Sequence, residues 1–248
     1  MPNHLAIRTV IALLVPSAAC VVETHRDRGG GGDSGATISA RWSLRNMADG
    51  ATTACPVGFD TVQMIAHAVD ASGDAVGDPS VDLFDCDART GRSAVLPSDI
   101  YQVWLEIRSH DLATLYAQSL SQVLDVRTAD RTITADLLND GGYFQLTWDL
   151  VDATTHRPVE CSQVVGLDTI EAVSTSVADA HVAYDDQRVC QDHAAVSGGL
   201  LQGSYTITIN AMAGGRSVGA AAMLTHQVIQ GQNRVTDLGN IIIPIVVP

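Results

Sequence analysis

The stretch ISARWSLRNMADGATTAC, residues 38–55, recurs in altered form as FQLTWDLVDATTHRPVEC, residues 144–161. In both stretches a tryptophan stands 13 positions before a cysteine. Apolar and polar residues alternate around each tryptophan, and this period of two is typical of a β-strand with one buried face. Each stretch therefore predicts a strand that directs its tryptophan into a hydrophobic core.

The recurrence extends beyond these two strands to a second cysteine and a tyrosine. The four landmarks in chain order are Trp42, Cys55, Cys86 and Tyr101 in the first copy and Trp148, Cys161, Cys190 and Tyr205 in the second. The offset between the copies is 106 at the first two landmarks and 104 at the last two. Because the 248 residues contain only three tryptophans and five cysteines, the recurrence indicates an internal duplication.

The duplication predicts the fold class and the domain boundaries. Each copy spans roughly 100 residues and contains short alternating segments separated by turns rich in Gly, Asp and Pro, which is typical of a β-sandwich. We therefore predict an all-β protein of two tandem β-sandwich domains, at 37–138 and 142–248, each with one internal disulfide. Asn139, Asp140 and Gly141 form the turn between them, and so short a connection predicts little relative motion.

The cysteine pairing follows from the same duplication. If Cys20 belongs to the N-terminal signal, four cysteines remain, and four allow three pairings. The duplication selects Cys55–Cys86 and Cys161–Cys190, because each copy closes its own bridge if each is an autonomous fold. A loop of about 30 residues stabilises a domain by roughly 3.6 kcal/mol in the chain-entropy view. The alternative, a zinc site of all four cysteines, lacks close cysteine pairs and would need ligands from both domains.

The first 19 residues, MPNHLAIRTVIALLVPSAA, have the layout of a secretory signal peptide. A short basic start precedes an apolar run over 9–15 and a small-residue cleavage site. The run is too short to span a bilayer, which needs about 20 apolar residues. Residues 20–36 include four consecutive glycines and scattered charges, and they predict a flexible tether.

The residues at the cleavage site resemble the bacterial lipoprotein signal, in which a box of small residues ends in a cysteine that becomes lipid-modified. Ala18, Ala19 and Cys20 match that box, and Ser17 stands where the family usually has an aliphatic residue. The resemblance implies that Cys20 is acylated and holds the protein on the bacterial outer membrane or cell surface. The alternative is cleavage by an ordinary signal peptidase, which would give a periplasmic or secreted soluble protein.

A second resemblance concerns the strand that carries the repeated tyrosine. The segments LPSDIY, residues 96–101, and LQGSYTI, residues 201–207, resemble the L-x-x-G-x-Y-x-V strand of prealbumin-like and Cna-B-like bacterial surface sandwiches, with Asp99 in place of the glycine in the first copy. The resemblance implies an immunoglobulin-like or prealbumin-like sandwich in a non-catalytic stalk, spacer or adhesion module. The Lys–Asn isopeptide bonds of Cna-B-type units cannot form, because the chain contains no lysine.

Two motifs could carry chemistry, and both have a simpler interpretation. The segment GRSVG, residues 215–219, matches the nucleophile-elbow pattern of hydrolases with Ser217 as nucleophile, but it lies between two predicted strands, where a turn is favoured. Asp70, Asp74 and Asp78 could bind Ca²⁺ through carboxylate oxygens. Their spacing does not match an EF-hand loop, so we favour a solvated acidic hairpin and predict no metal or other cofactor.

Trp104 is the strongest candidate for a binding residue. Alternation with Val103 and Leu105 places it on the polar face of its strand, and its counterpart in the second copy is Thr208. An exposed large aromatic side chain can stack on a sugar or anchor a protein partner. The alternative is that the tether, a loop or the second domain covers it.

These features predict an exported, lipid-anchored and non-catalytic protein of the cell envelope with a structural or binding role. Two alternatives are a carbohydrate- or peptide-binding module that uses Trp104 and a hydrolase that uses Ser217. The expected partners are the membrane, through the N-terminal lipid, and an envelope protein or glycan. Nucleic acid is excluded, because 14 arginines against 28 acidic residues give a net charge of −14 without a basic stripe.

Overall fold

The structure is a computed structural model that describes residues 35–246. Regular structure in this part of the chain consists of β-strands and three short 3-10 helices, at Cys86–Ala88, Cys161–Gln163 and Cys190–Asp192. The strands of the first copy are β1 (Ile38–Arg45), β2 (Thr61–Ala68), β3 (Ser80–Asp85), β4 (Thr90–Arg92), β5 (Ile100–Arg108), β6 (Leu115–Gln118), β7 (Gln122–Asp125) and β8 (Arg131–Leu138). Those of the second copy are β9 (Gly141–Asp152), β10 (Pro158–Val159), β11 (Leu167–Ser176), β12 (Ala183–Val189), β13 (Ala194–Val196), β14 (Leu200–Leu201), β15 (Gly203–Ala213), β16 (Arg216–Ala220), β17 (Leu224–Ile229) and β18 (Arg234–Ile245).

The first copy forms a sandwich of two sheets. One sheet has the order β4-β1-β8, in which β1 and β8 run parallel and β1 and β4 antiparallel. The other has the order β3-β2-β5-β6, and β7 also pairs with β5. The strand with Trp42 thus lies in one sheet and the strand with Tyr101 in the other, and both side chains are buried between the sheets.

The second copy repeats this strand order. Strands β13, β9 and β18 pair as β4, β1 and β8 do, including the parallel pairing of β9 with β18. Strands β12, β11, β15, β16 and β17 repeat the second sheet. A single bridge between Gly219 and Ile245 joins the two sheets at one corner. The predicted fold class, two tandem β-sandwiches, is confirmed.

The buried hydrophobic residues fall into two separate cores. One is drawn from residues 36–137 and the other from residues 144–245. Each core contains its tryptophan, its tyrosine and its disulfide, and the alternating strands supply the rest. The two sandwiches nevertheless belong to one compact unit. The boundaries 37–138 and 142–248 stay predictions, and the signal peptide, Cys20 and residues 20–34 of the tether lie outside the described residues.

Each disulfide closes within its own copy, as the duplication predicted. Cys55 bonds to Cys86 and Cys161 bonds to Cys190, with Cα–Cα distances of 6.2 and 6.0 Å. The second cysteine of each pair begins a 3-10 helix that leads from one sheet to the other. The helix ends at a residue in the left-handed region, Arg89 with φ 58° or His193 with φ 54°.

The tryptophan of each copy is tied to this same 3-10 helix. The indole N–H of Trp42 donates to the carbonyl of Cys86 at 2.9 Å, and that of Trp148 donates to the carbonyl of Cys190 at 3.0 Å. Both indoles are almost fully buried, so the bond satisfies a donor that has no access to water. This contact explains why the tryptophan and the second cysteine recur together in the sequence.

Candidate functional site

Trp104 lies on the outer face of β5, and its side chain is half-buried there, whereas the sequence predicted an exposed side chain. Its indole N–H donates to Oε1 of Glu106 at 2.9 Å, two residues along the same face. Ile65 of β2 lies directly across the strand pair. The side chain is therefore held against the sheet in one orientation.

The carboxylate of Glu106 holds the Trp104 indole in place. Its side chain is buried, and its second oxygen, Oε2, accepts from Nε of Arg108 at 2.6 Å. Arg108 also donates to the carbonyl of Leu112 at 2.9 Å. A buried carboxylate with both oxygens bonded is stable in its place, because its charge is paired and its lone pairs are used. Glu106 thus positions Trp104, and both of its oxygens have a hydrogen-bond partner.

A groove of about 300 Å³ runs beside Trp104 at the junction of the two sandwiches. We refer to it as the junction groove. Its lining residues come mostly from β5 and the β6–β7 connection, with one residue each from β9 and β18 of the second sandwich: Gln102, Trp104, Gln118, Ser119, Leu120, Ser121, Gln145 and Val235. The sequence pointed to Trp104 alone and not to the other residues of the groove, because they are common polar or aliphatic residues spread over 134 positions of the chain.

The connection between β6 and β7 is fixed by hydroxyl groups. Oγ of Ser119 accepts from the backbone N–H of Leu105 at 2.9 Å and donates to the carbonyl of Leu120 at 3.0 Å. The side-chain amide of Gln102 donates to Oγ of Ser121 at 2.9 Å. This edge of the junction groove therefore has a defined shape.

Asn233 joins the second sandwich to the first beside the junction groove. Its side-chain oxygen accepts from the N–H of Leu138 at 2.7 Å, and its amide donates to the carbonyl of Gln118 at 2.7 Å. Its own N–H donates to the carbonyl of Gly141 at 2.9 Å. Asn233 is only 3% exposed and has φ 58°, a conformation that asparagine tolerates better than most residues. Sequence reasoning missed this residue, although GQN before a strand is a turn signal.

A second set of bonds holds the connection between the sandwiches. The Tyr116 hydroxyl donates to the side-chain oxygen of Asn139, whose amide donates to Oδ1 of Asn46 at 3.0 Å. Burial, and secondly the negative charge of Asp140, raises the pKa of the Tyr116 hydroxyl above its usual value. The hydroxyl therefore stays protonated and able to donate at any physiological pH. These bonds tie Asn139 of the connection to the first sandwich.

Ser217 lies in β16, directly after the two-glycine turn that joins it to β15. Its hydroxyl donates to the carbonyl of Gly219 at 3.1 Å. Gly214 and Gly215 both have positive φ, which a tight hairpin turn requires. The context is strand–turn–strand and not the strand–turn–helix of a nucleophile elbow.

The acidic loop after β2 has its own local hydrogen bonds. Oδ1 of Asp70 accepts from the N–H groups of Ser72 and Asp74, at 2.8 and 3.0 Å, so Asp70 shapes a turn. Asp78 lies eight residues further along, before β3. Within residues 35–246, no group of three His, Cys, Asp or Glu side chains is placed to hold a metal ion.

The part of the chain that the structure describes contains no helix long and apolar enough to cross a membrane. No family model matches the sequence, and neither does any curated protein.

Several solved structures are similar to this chain at low identity. A leucine-rich repeat protein from Bacteroides thetaiotaomicron is 10% identical over 86% of this chain, with a TM-score of 0.35, and the chain spans 26% of that protein. A minor pilin from Streptococcus agalactiae is 11% identical over 84% of this chain and 95% of its own, with a TM-score of 0.30. A fimbrial anchor protein from Porphyromonas gingivalis is 12% identical over 77% and 82%, with a TM-score of 0.27.

Proposed function

We propose that this chain is an exported, lipid-anchored protein of the bacterial envelope with a non-catalytic structural or adhesive role. The observation that carries the proposal is the construction of the described part: two covalently closed sandwiches joined by a short connection and by the bonds of the buried Asn233 to the first sandwich. Two sandwiches linked in this way suit a protein that presents a surface away from its anchor. Disulfides persist outside the cytoplasm, which fits export.

The anchor is the lipid on Cys20, and residues 20–35 are the tether between that lipid and the sandwiches, because Ala36 already belongs to the first core. Several acyl chains together would hold the protein firmly, because each buried CH₂ contributes about 0.8 kcal/mol. The membrane is then a partner through the lipid alone, because a net charge of −14 repels anionic headgroups.

The non-catalytic role is supported by the surroundings of Ser217. Its hydroxyl is engaged with a backbone carbonyl of its own hairpin, and within residues 35–246 it has no hydrogen bond to a histidine. A serine nucleophile needs a base within hydrogen-bond reach. The purified protein should therefore show no turnover of ester, amide or glycoside substrates. Hydrolysis that disappears in Ser217→Ala would overturn this part of the proposal.

The anchor is tested by expressing the full chain in an exporting bacterial host and separating membranes from the soluble fraction. The wild-type protein is expected in the membrane fraction, with an acylated N-terminal cysteine by mass spectrometry. Cys20→Ser should release it, and Ser17→Leu, which restores the usual aliphatic residue of the signal, should leave it anchored. An unmodified Cys20, or membrane attachment of Cys20→Ser, would contradict the proposal.

A further inference from the structure

The junction groove is neutral on a strongly acidic protein. None of its eight lining residues carries a charge, although the chain as a whole has a net charge of −14. A cationic ligand would find better sites elsewhere on the acidic surface, and an anionic ligand would be repelled by the field of the whole protein. The groove therefore favours an uncharged ligand.

The polar groups of the junction groove are amides and hydroxyls. Gln102 is bonded to Ser121, whereas the side-chain amides of Gln118 and Gln145 have no hydrogen bond within residues 35–246. Each such amide offers one acceptor and two donor hydrogens, which is the pattern that pairs of sugar hydroxyls require. Trp104 supplies an aromatic surface that Glu106 already orients, so little side-chain entropy is lost on binding.

We propose that the junction groove binds a neutral carbohydrate, with Trp104 as the stacking platform and Gln118 and Gln145 as the hydroxyl-binding amides. The volume of about 300 Å³ lies at the lower end of the range for small-ligand sites, about 300–1,000 Å³. The inference rests on the proposed function, because a glycan ligand of the envelope or of another cell reaches only an exported protein.

The pairing of the strands favours a sugar over an extended peptide. A peptide that adds to a sheet needs a free strand edge beside the residues that read its side chains. Strand β5, which carries Trp104, is paired with β2 on one side and with β6 and β7 on the other. The carbonyl of Gln118 on the neighbouring edge strand is already bonded to Asn233. The groove thus offers side chains and not a backbone edge.

The site is complete only because both sandwiches contribute to it. Gln145 lies in β9 and Val235 in β18, two residues after Asn233. Since Asn233 bonds directly to the carbonyl of Gln118, it fixes the distance between the two walls. Asn233 is therefore a positioning residue for the groove, and a second binding site of this type is not expected on the outer face of β15, where Thr208 replaces Trp104.

The test uses the full exported chain, purified in mild detergent, on an array of neutral oligosaccharides with sialylated and sulfated glycans and a peptide array as further arms. Trp104→Thr is the central variant, because the second sandwich folds with Thr208 at the corresponding position. Thr208→Ala is the matched control. Gln145→Ala tests the wall that the second sandwich contributes.

We expect binding to one class of neutral oligosaccharide that weakens at least tenfold in Trp104→Thr, several-fold in Gln145→Ala and not at all in Thr208→Ala. A cooperative urea unfolding transition would show that the variants are folded. Three results would overturn the inference: no glycan bound above background, binding to peptides or charged glycans alone, or neutral-glycan binding that Trp104→Thr leaves unchanged. Each of these leaves the envelope role standing, because that role is tested by the Cys20→Ser fractionation.

Discussion

Equivalent hydrogen bonds occur in both sandwiches, whereas the side chains that fill the two cores differ. In both, the serine directly after the short strand that pairs with the tryptophan strand, β4 or β13, accepts from that tryptophan strand. Oγ of Ser93 accepts from the N–H of Ile38, and Oγ of Ser197 from the N–H of Phe144, each at 2.9 Å. In both, the tyrosine hydroxyl donates to the carbonyl four residues before it. These bonds involve buried backbone groups that need a partner in any variant of the fold.

The core packing between the same sheets differs. In the first sandwich the Phe84 ring lies 5.9 Å from that of Trp42 and covers Gly91. At the corresponding places the second sandwich has Arg188 and Ala195, and the guanidinium of Arg188 turns to the carbonyl of Val196 at 2.8 Å.

The second sandwich has a cavity of about 20 Å³ beside Trp148. Two residues leave this space: Arg188, which replaces the Phe84 ring, and Ala172, which the strand register places where Met64 lies in the first sandwich. The comparison teaches that duplicated domains preserve the partners of buried polar groups and exchange the apolar filling, which several combinations of side chains can supply.

The two disulfides should contribute equally to the stability of their sandwiches. Their removal should have the largest effect of the substitutions considered. Replacing Cys55 and Cys86 by alanine, or Cys161 and Cys190, should lower the free energy of unfolding by about 3–4 kcal/mol in each case, because the loops span 31 and 29 residues. Urea unfolding followed in variants that keep a single core tryptophan, Trp42 or Trp148, reports each sandwich separately. A loss confined to one of the two pairs would break the symmetry of the comparison.

The junction should be the next most sensitive point. Asn233→Ala leaves the buried N–H of Leu138 and the carbonyl of Gln118 without their partner and should cost about 2–3 kcal/mol. It should also separate the unfolding transitions of the two single-tryptophan reporters. Gln232→Ala is the control, since Gln232 also has positive φ but its side chain is exposed. Coincident transitions in Asn233→Ala would show that the sandwiches are coupled by other contacts.

The exchanged core positions should lose different amounts of stability in reciprocal substitutions. A Cβ at position 91 would lie 2.6 Å from the Phe84 ring, so Gly91→Ala should destabilise the first sandwich by about 1–2 kcal/mol through overpacking. Ala195→Gly in the second sandwich meets no such ring and should cost only about 0.5–1 kcal/mol, the usual effect of glycine in a strand. Thermal unfolding of the two variants measures this, and an equal loss in both would contradict the packing difference.

Lowering the pH should produce a smaller difference in stability between the two sandwiches. The pKa values of three aspartates in the first sandwich lie below the usual value: Asp125 through Arg127, Asp111 through Ser109 and Asp130 through the Thr37 amide. In the second sandwich this holds for Asp152, through the Thr155 amide.

A carboxyl group with a lowered folded-state pKa stabilises the fold above its unfolded pKa of about 3.9, and this contribution is lost as the pH falls through the folded-state value. Between pH 6 and pH 3, the urea midpoint reported by Trp42 should therefore fall further than that reported by Trp148. The reverse order would show that these exposed carboxylates do not decide acid stability.

The sequence predicted the features that rest on local patterns and on rare residues. The recurrence of Trp42 and Cys55 gave the duplication, the duplication gave the disulfide pairing, and strand alternation gave the buried face of β5. The alternation of β3 does not show which of its faces is buried. Val81 and Leu83 are 48% and 53% exposed, while Phe84 packs against the core. The face of β3 is set by pairing with β2, where Phe84 lies opposite the core residue Val62.

The candidate site was only partly predictable, because it depends on how distant segments meet. Trp104 stood out as an aromatic residue on a polar face, but its bond to Glu106 and its half-burial follow from side-chain geometry. Asn233 and Gln145 are unremarkable in the sequence, and their roles exist only where the second sandwich packs on the first. Contacts that join residues more than 100 positions apart leave no periodic signal in a single sequence.

The central claim is that two copies of one sandwich are each closed by their own covalent link. Proteolysis of the non-reduced exported protein, followed by mass spectrometry of the linked peptides, tests it most directly. We predict two linked pairs, one joining Cys55 to Cys86 and the other Cys161 to Cys190. Peptides that link a cysteine of the first copy to one of the second, or four free thiols, would contradict the account.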